Sequence, residues 1–146
     1  MTTLKRFDVR LPRLEFVVRL LFAMFLFGTG IMTIGLAING LPETSSSDRV
    51  GQFMIALHET GYLIYWVGLF KAVTGGLMFV PRTTPLAILM VLPYSVNILL
   101  YVTFFAHRYF MIGLLDFVAC GLLVYGYWDW YRPIVVNSTA ASIHTS

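Results

Sequence analysis

Charged residues are scarce in this sequence. They make up 12% of its 146 residues, whereas 58% are hydrophobic. A soluble domain of this size carries about 25% charged residues. The deficit excludes an ordinary soluble domain and places the chain among membrane proteins, with the lipid bilayer as its first partner. In such a chain the formal net charge of +3 reports on membrane topology, and it gives no reason to expect nucleic acid as a partner.

Cysteine is almost absent as well. The single Cys120 excludes an intrachain disulfide, a CxxC redox pair and a cysteine-built metal site. His58 and His107 are expected on the same side of the membrane and could together ligate haem or a metal. We interpret them as polar surface instead. No phosphate-binding glycine loop, nucleophile elbow or paired-carboxylate site is present. We therefore predict no catalytic residue and no metal site, and leave enzymatic activity open.

Apolar segments long enough to cross a bilayer fill most of the chain. At about 1.5 Å per residue, about 20 helical residues span the hydrocarbon core. Four such segments, at about 20–38, 61–80, 85–105 and 111–128, are separated by polar or turn-forming residues. We predict an all-α polytopic membrane protein, a four-transmembrane-helix bundle within a membrane domain at 20–133. A basic cytoplasmic segment (1–19) precedes this domain, and a disordered tail (134–146) follows it.

The longest polar interval, residues 43–60, contains a helical apolar pattern. Val50, Phe53, Met54 and Leu57 fall at positions i, i+3, i+4 and i+7. This pattern predicts a short amphipathic helix at the membrane interface, between spans 1 and 2. A surface loop with chance periodicity is the alternative.

The basic residues outside the spans predict the orientation. Four spans put both termini and the turn after span 2 on one side of the membrane. That side holds seven basic residues, and the other holds two. The seven are Lys5, Arg6, Arg10, Arg13, Arg19, Arg82 and Arg132, and the two are Arg49 and Arg108. By the positive-inside rule, both termini are cytoplasmic, in a cell membrane of the bacterial inner-membrane type.

Three polar residues lie inside the predicted spans, namely Lys71, Asn97 and Asp116. A single charge at the centre of a membrane helix costs about 2.5 to 3.5 kcal/mol. We therefore predict that Lys71 and Asp116 meet, with Asn97 at their junction. The resulting polar centre is either a binding or proton-handling site or a structural ion pair. At the membrane entry of the first helix, Glu15 and Arg19 are four residues apart and are predicted to pair.

Small residues accompany both intramembrane charges. Gly68, Gly75 and Gly76 recur around Lys71 at helical spacing, and Gly113 lies three residues before Asp116. Glycines at such spacings let another helix approach closely within the bilayer, where lipid is as apolar as leucine. They are the predicted helix-packing residues.

The run FKAVTGGLMFVPRTTPLAILMVLPYSVNILLYVTFF, residues 70–105, joins a lysine-bearing span ending in Gly-Gly, a short arginine turn and a Pro-x-x-x-Asn core. It resembles the central signature of DoxX-like membrane proteins, and the sequences GQFM at 51–54 and YRP at 131–133 also fit. The resemblance covers about residues 20–133 and implies a small four-helix membrane protein. The family takes its name from a small subunit of a thiosulfate- and quinone-linked oxidoreductase, and related proteins have been linked to assembly or chaperone roles.

Three functions are consistent with these features. The first is a non-catalytic accessory subunit of a larger membrane energy or redox complex, which the resemblance would make quinone-linked. The second is a stand-alone small-molecule binder or transporter that uses the Lys71, Asn97 and Asp116 centre. The third is a membrane assembly factor. The residues themselves predict no cofactor, and quinone enters through the resemblance. The expected protein partners are other membrane subunits or further copies of the chain.

Overall fold

The computed structural model describes residues 12–41 and 49–133. Most of the predicted basic segment and the whole predicted tail lie outside these ranges. The helices are α1 (Pro12–Asn39), α2 (Arg49–Glu59), α3 (Leu63–Met78), α4 (Thr84–Phe104) and α5 (Phe110–Gly126), with a 3-10 turn at His107–Tyr109. Residues 128–133 are also helical, and no strand occurs in the described ranges. The all-α prediction is confirmed for this part of the chain.

Several helices are long and apolar enough to cross a membrane. They are α1, α4 and the segment His107–Gly126, and the bent pair of α2 and α3 adds a fourth when it is counted as one span. These helices indicate a membrane-associated protein. Helix α3 has 16 residues, fewer than the 20 predicted for this span.

A sharp corner between α2 and α3 explains the shorter helix. The two helices are bent by 100° relative to each other. Gly61 lies at the corner with a φ of 77°, in the left-handed region that favours glycine. A Cβ atom at Gly61 would meet nothing within 4 Å, so this glycine makes the turn and no close helix contact.

Four helices pack in a closed ring. α1 lies along α3, α3 contacts α4, α4 lies along α5, and α5 returns to α1. Hydrogen bonds tie neighbouring helix ends together. The Tyr65 hydroxyl donates to the Ala37 carbonyl (3.0 Å), and the Tyr131 hydroxyl donates to the Pro85 carbonyl (2.7 Å). The centre of the ring is filled by fully buried apolar side chains, among them Leu26, Ile88 and Leu123.

The contact between α1 and α3 is made by main chains. A Cβ atom at Gly30 would lie 2.5 Å from the Ala72 nitrogen, and one at Gly75 would lie 2.5 Å from the Phe27 nitrogen. At Gly68 it would lie 3.0 Å from the nitrogen of Ile34. No side chain fits at these three positions without moving a backbone, which is how small residues bring membrane helices together.

The other two predicted packing glycines, Gly76 and Gly113, differ from Gly68 and Gly75. A Cβ atom at Gly76 would meet nothing within 4 Å, so Gly76 makes no close helix contact within the described chain. Its position is rotated about 100° from Gly75 on the helix, which carries it off the face that meets α1. Gly113 on α5 lies against the Val102 side chain of α4, so it contributes to a different helix pair.

Candidate functional site

Lys71 and Asn97 line the same cavity. Its volume is about 410 Å³, and it is bordered by α1, α2, α3 and α4. Small-molecule sites have volumes of about 300 to 1,000 Å³ and combine apolar walls with a few polar groups. The remaining lining residues are mostly apolar or aromatic: Thr33, Val50, Phe53, Met54, Leu57, Ile64, Val67, Tyr94, Ile98 and Tyr101.

Helix α2 covers this cavity with its apolar face. The four residues that the sequence pattern placed on one face, Val50, Phe53, Met54 and Leu57, all line it. The Phe53 ring centroid lies 5.0 Å from that of Tyr101, so an aromatic contact holds α2 against α4. A helix at the predicted position is confirmed, and its four apolar residues line one cavity. Its location at a membrane interface stays a prediction.

The cavity presents hydrogen-bond donors that have no partner among residues 12–41 and 49–133. Lys71 is half-buried on α3, and the Asn97 side chain is exposed on α4. Within residues 12–41 and 49–133, neither side chain forms a hydrogen bond or an ion pair. Both can therefore bind a group from outside the chain. A lysine ammonium has three donor hydrogens and no acceptor, and the asparagine amide adds two further donors.

Asp116 occupies a different position from Lys71 and Asn97. Its side chain on α5 is only 6% exposed. It borders a groove of about 480 Å³ between α1 and α5, whose other lining residues are apolar: Val18, Leu21, Phe22, Phe25, Ile112, Leu115 and Ala119. The three residues predicted to share one polar centre therefore lie at two places, a cavity under α2 and a groove on α5.

The direct ion pair predicted between Lys71 and Asp116 is not formed. Their charged atoms do not come within the 4.0 Å that defines an ion pair, although the two groups interact electrostatically over a longer distance. The reason is that one side chain lines the cavity and the other lies against the groove. Asp116 Oδ2 is buried without a hydrogen-bond partner in the described chain, and so is the hydroxyl oxygen of nearby Ser95.

A second polar cluster, at the end where α1 begins, is joined by several hydrogen bonds. Glu15 Oε1 accepts from Arg19 Nε (2.8 Å) and from the Tyr127 hydroxyl (2.7 Å). Arg19 Nη1 donates to the carbonyl of Met78 (2.8 Å), at the last turn of α3. The predicted pair of Glu15 and Arg19 is confirmed. Tyr127 and the Met78 carbonyl could not be found from spacing, because they come from α5 and α3.

Tyr127 in this Glu15–Arg19 cluster remains a donor across the ordinary pH range. Burial of its hydroxyl, together with the hydrogen bond to the Glu15 carboxylate and its negative charge, raises the pKa of Tyr127 to about 12. The hydroxyl therefore keeps its proton and its bond to Glu15 at neutral pH. Since Glu15 and Arg19 are paired with each other and bonded to residues from two further parts of the chain, the cluster joins helices.

Comparison with known proteins adds no further assignment. No protein-family model, no curated protein and no solved structure matches this chain. The resemblance to DoxX-like proteins is neither supported nor refuted by these comparisons, and it stays a prediction. The cavity beside Lys71 and the buried carboxylate of Asp116 are the two polar features of the helix ring that lack an ion pair within the described chain.

Proposed function

We propose that this protein is a small integral membrane protein that binds an amphiphilic molecule in the cavity beneath α2. The observation that carries the proposal is a cavity with apolar walls that contains hydrogen-bond donors without a partner in the described chain. Lys71 and Asn97 supply the donors, and the surrounding volume of about 410 Å³ is lined mostly by apolar and aromatic side chains.

An ammonium group in an apolar environment is unfavourable unless it is paired. Because no described residue pairs with Lys71, an acceptor from outside the chain would gain a charge-assisted hydrogen bond there. Asn97 on the neighbouring helix can donate to the same head group. The apolar part of the ligand would lie against residues such as Met54 and Ile98.

The head group that fits these donors is a hydrogen-bond acceptor. Two sources supply one together with an apolar tail: a long-chain acid, which carries a carboxylate, and a quinone, which carries two carbonyls. The aromatic residues Phe53, Tyr94 and Tyr101 offer flat surfaces suited to a quinone ring. Lys71 favours the acid, since a full negative charge forms the stronger bond.

The cavity favours a binder over an accessory subunit or an assembly factor. An accessory subunit or an assembly factor needs a surface that contacts other proteins. Neither function requires a lysine that lines an internal cavity. A quinone ligand would be consistent with both the small-molecule binder and the accessory subunit, because a subunit of a quinone-linked complex could contain a quinone site. The accessory role stays a second proposal that depends on that outcome.

We further propose that α1, α3, α4 and α5 cross the membrane and that α2 lies at its outer interface, with both termini cytoplasmic. The ring of four helices and the excess of basic residues at one end support this topology. Arg108 and Arg82 are exposed at opposite ends of the ring. Arg108→Cys should react with a membrane-impermeant maleimide in intact cells, and Arg82→Cys only after permeabilisation. Reaction of Arg82→Cys in verified intact cells would refute the orientation.

Binding can be tested on purified protein in lipid nanodiscs, with decanoate and decylubiquinone as probes. Lys71→Met should weaken binding of the preferred probe at least tenfold, since a hydrogen bond to a charged group is worth about 1.5 to 3 kcal/mol. Arg82→Gln, an exposed basic residue away from the cavity, is the matched control and should bind normally. Absence of binding by both probes, or equal binding by Lys71→Met, would contradict the proposal.

A further inference from the structure

Asp116 is a buried carboxylate that the cavity beneath α2 does not use. Its side chain is 6% exposed, and its Oδ2 atom has no hydrogen-bond partner among the described residues. No ion pair within residues 12–41 and 49–133 includes it. A carboxylate in an apolar interior is unfavourable unless it is paired or neutralised. A direct partner for the ionised group therefore has to come from outside this part of the chain.

The groove beside Asp116 opens on the outer surface of the ring of helices. It has a volume of about 480 Å³, lies between α1 and α5, and shares no lining residue with the cavity beneath α2. Leu21 of α1 and Leu115 of α5, which both line it, are 63% and 65% exposed. In the proposed topology this surface faces lipid, so a molecule dissolved in the bilayer can reach the groove from the side.

Asp116 is the one polar residue in the described lining of this groove. The other lining residues of α1 and α5 are all apolar. Such a surface is complementary to a molecule that carries one cation on an apolar chain. An ionised carboxylate only accepts hydrogen bonds, and an ammonium group only donates them, so the two form a charge-assisted bond. Because the terminal torsion of an aspartate is broad, either carboxylate oxygen can turn toward the groove.

We propose that the groove between α1 and α5 binds an alkylammonium amphiphile, whose ammonium group pairs with Asp116 and whose chain lies along the apolar residues of the two helices. The size of the groove suits such a molecule, because small-molecule sites have volumes of about 300 to 1,000 Å³. One turn of an α-helix already fills on the order of 500 Å³, so the groove fits a single chain better than a further helix.

The burial of Asp116 in the folded chain favours this binding. Removing a carboxylate from water is unfavourable, but for Asp116 this step has already occurred on folding. Only the head group of the ligand loses water when it binds. In surroundings of low dielectric constant, the two opposite charges then attract each other more strongly than they would in water.

This site differs from the proposed function in the charge that it selects. The cavity beneath α2 presents the ammonium of Lys71 and favours an acid, whereas the groove presents a carboxylate and should reject an anion. The two sites have separate linings, and the groove does not require the cavity to be occupied. The proposal for the groove can therefore be tested independently.

Equilibrium dialysis can measure binding to the full chain in nanodiscs of zwitterionic phosphatidylcholine, with empty nanodiscs as the blank for partitioning into lipid. The probes are decylamine, which is a cation at neutral pH, and decan-1-ol, which has the same chain and no charge. Decylamine should bind at a single saturable site. Decan-1-ol should bind at least tenfold more weakly, since a neutral donor forms the weaker bond to a carboxylate.

Two variants test the carboxylate and the groove separately. Asp116→Asn should weaken decylamine binding at least tenfold, because the charge-assisted bond is lost. Glu59→Gln, which changes an exposed carboxylate of α2, is its matched control and should bind normally. Ala119→Phe keeps the carboxylate but fills the groove, and should abolish binding. Val118→Phe places the same ring at an exposed neighbouring position that does not line the groove, and should bind normally.

Several outcomes would overturn the inference. They are absence of saturable decylamine binding, equal binding of decylamine and decan-1-ol, and equal binding by Asp116→Asn and the unmodified chain. Weaker decylamine binding by Lys71→Met would place the probe in the cavity beneath α2. Self-association that Ala119→Phe abolishes, without decylamine binding, would assign the groove to a second copy of the chain. If Asp116→Asn cannot be purified, the comparison of the two probes on the unmodified protein still decides the charge preference.

Discussion

The two polar regions of this protein are built in opposite ways. In the Glu15–Arg19 cluster the carboxylate accepts two hydrogen bonds, and Arg19 donates both to that carboxylate and to the end of α3. Around Lys71 and Asp116, by contrast, no ion pair joins the two side chains, and Asp116 Oδ2 is buried without a hydrogen-bond partner in the described chain. The first region joins helices, and the second includes the polar groups that we propose bind a ligand.

This contrast separates structural from functional polar residues more clearly than burial does. Both regions contain well-buried charged side chains, Arg19 and Asp116, each 6% exposed. Buried polar groups in folded proteins are nearly always hydrogen-bonded, so an exception requires an explanation. The partners of Arg19 explain its burial, whereas those of Asp116 do not. Mutations should therefore affect stability in the first region and binding in the second.

The largest loss of stability is expected for Arg19→Met. It would leave the Glu15 carboxylate buried without its ion-pair partner, which costs about 3 to 5 kcal/mol for a buried pair. Thermal unfolding in detergent measures the effect. Arg13→Met removes an exposed arginine from the same helix and should change little. If the two variants unfold alike, the Glu15–Arg19 cluster does not stabilise the fold.

A smaller loss is expected where the helices touch without polar groups. Gly75→Leu would drive a side chain into the backbone of α1 and should cost about 1 to 3 kcal/mol, as overpacked cores do. Gly76→Leu changes the adjacent glycine, where a Cβ atom meets open space, and should be nearly neutral. Equal thermal midpoints for the two variants would show that α1 and α3 do not pack as described.

The smallest effect is expected at the second polar region. Lys71→Met removes no hydrogen bond or ion pair with a described residue, so the thermal midpoint without ligand should stay the same or rise. In a double-mutant cycle with Asp116→Asn, the coupling energy should fall below about 1 kcal/mol, since residues out of contact are close to additive. A coupling as large as that of a direct buried ion pair would mean that the two side chains meet in solution.

Local patterns in the sequence predicted the local features of the fold well. The i, i+3, i+4, i+7 pattern of α2 identified both a helix and the four residues that line the cavity together. The spacing of Glu15 and Arg19 identified an ion pair within one turn. Each of these predictions depends on residues that are close in sequence, and no knowledge of the neighbouring helices is needed.

The rotation of α3 could not be predicted in the same way. Apolar residues surround this helix, and Trp66, Leu69 and Val73 are exposed while Gly68 and Gly75 are buried. Periodicity therefore cannot show which of two adjacent glycines meets α1, and Gly76 was placed on the wrong face.

The same difficulty affected the polar centre. Counting residues from helix ends gave depths for Lys71 and Asp116 but not the directions of their side chains. Those directions depend on how each helix is rotated against its neighbours. Asn97 and Lys71 line the same cavity, whereas Asp116 borders a different groove and does not form the direct ion pair with Lys71 that was predicted.

The hydrogen bonds of Arg19 also constrain the order in which the chain can complete its insertion. Its acceptors on α3 lie 59 and 60 residues further along the chain, and Tyr127, the second donor to Glu15, is 112 residues beyond Glu15. Of these partners, Glu15 alone is already made when α1 emerges from the ribosome. The guanidinium can bond to α3 only after that helix has been made, and Tyr127 joins only when α5 is complete. The hydrogen-bonded cluster is therefore completed by the last helix of the ring.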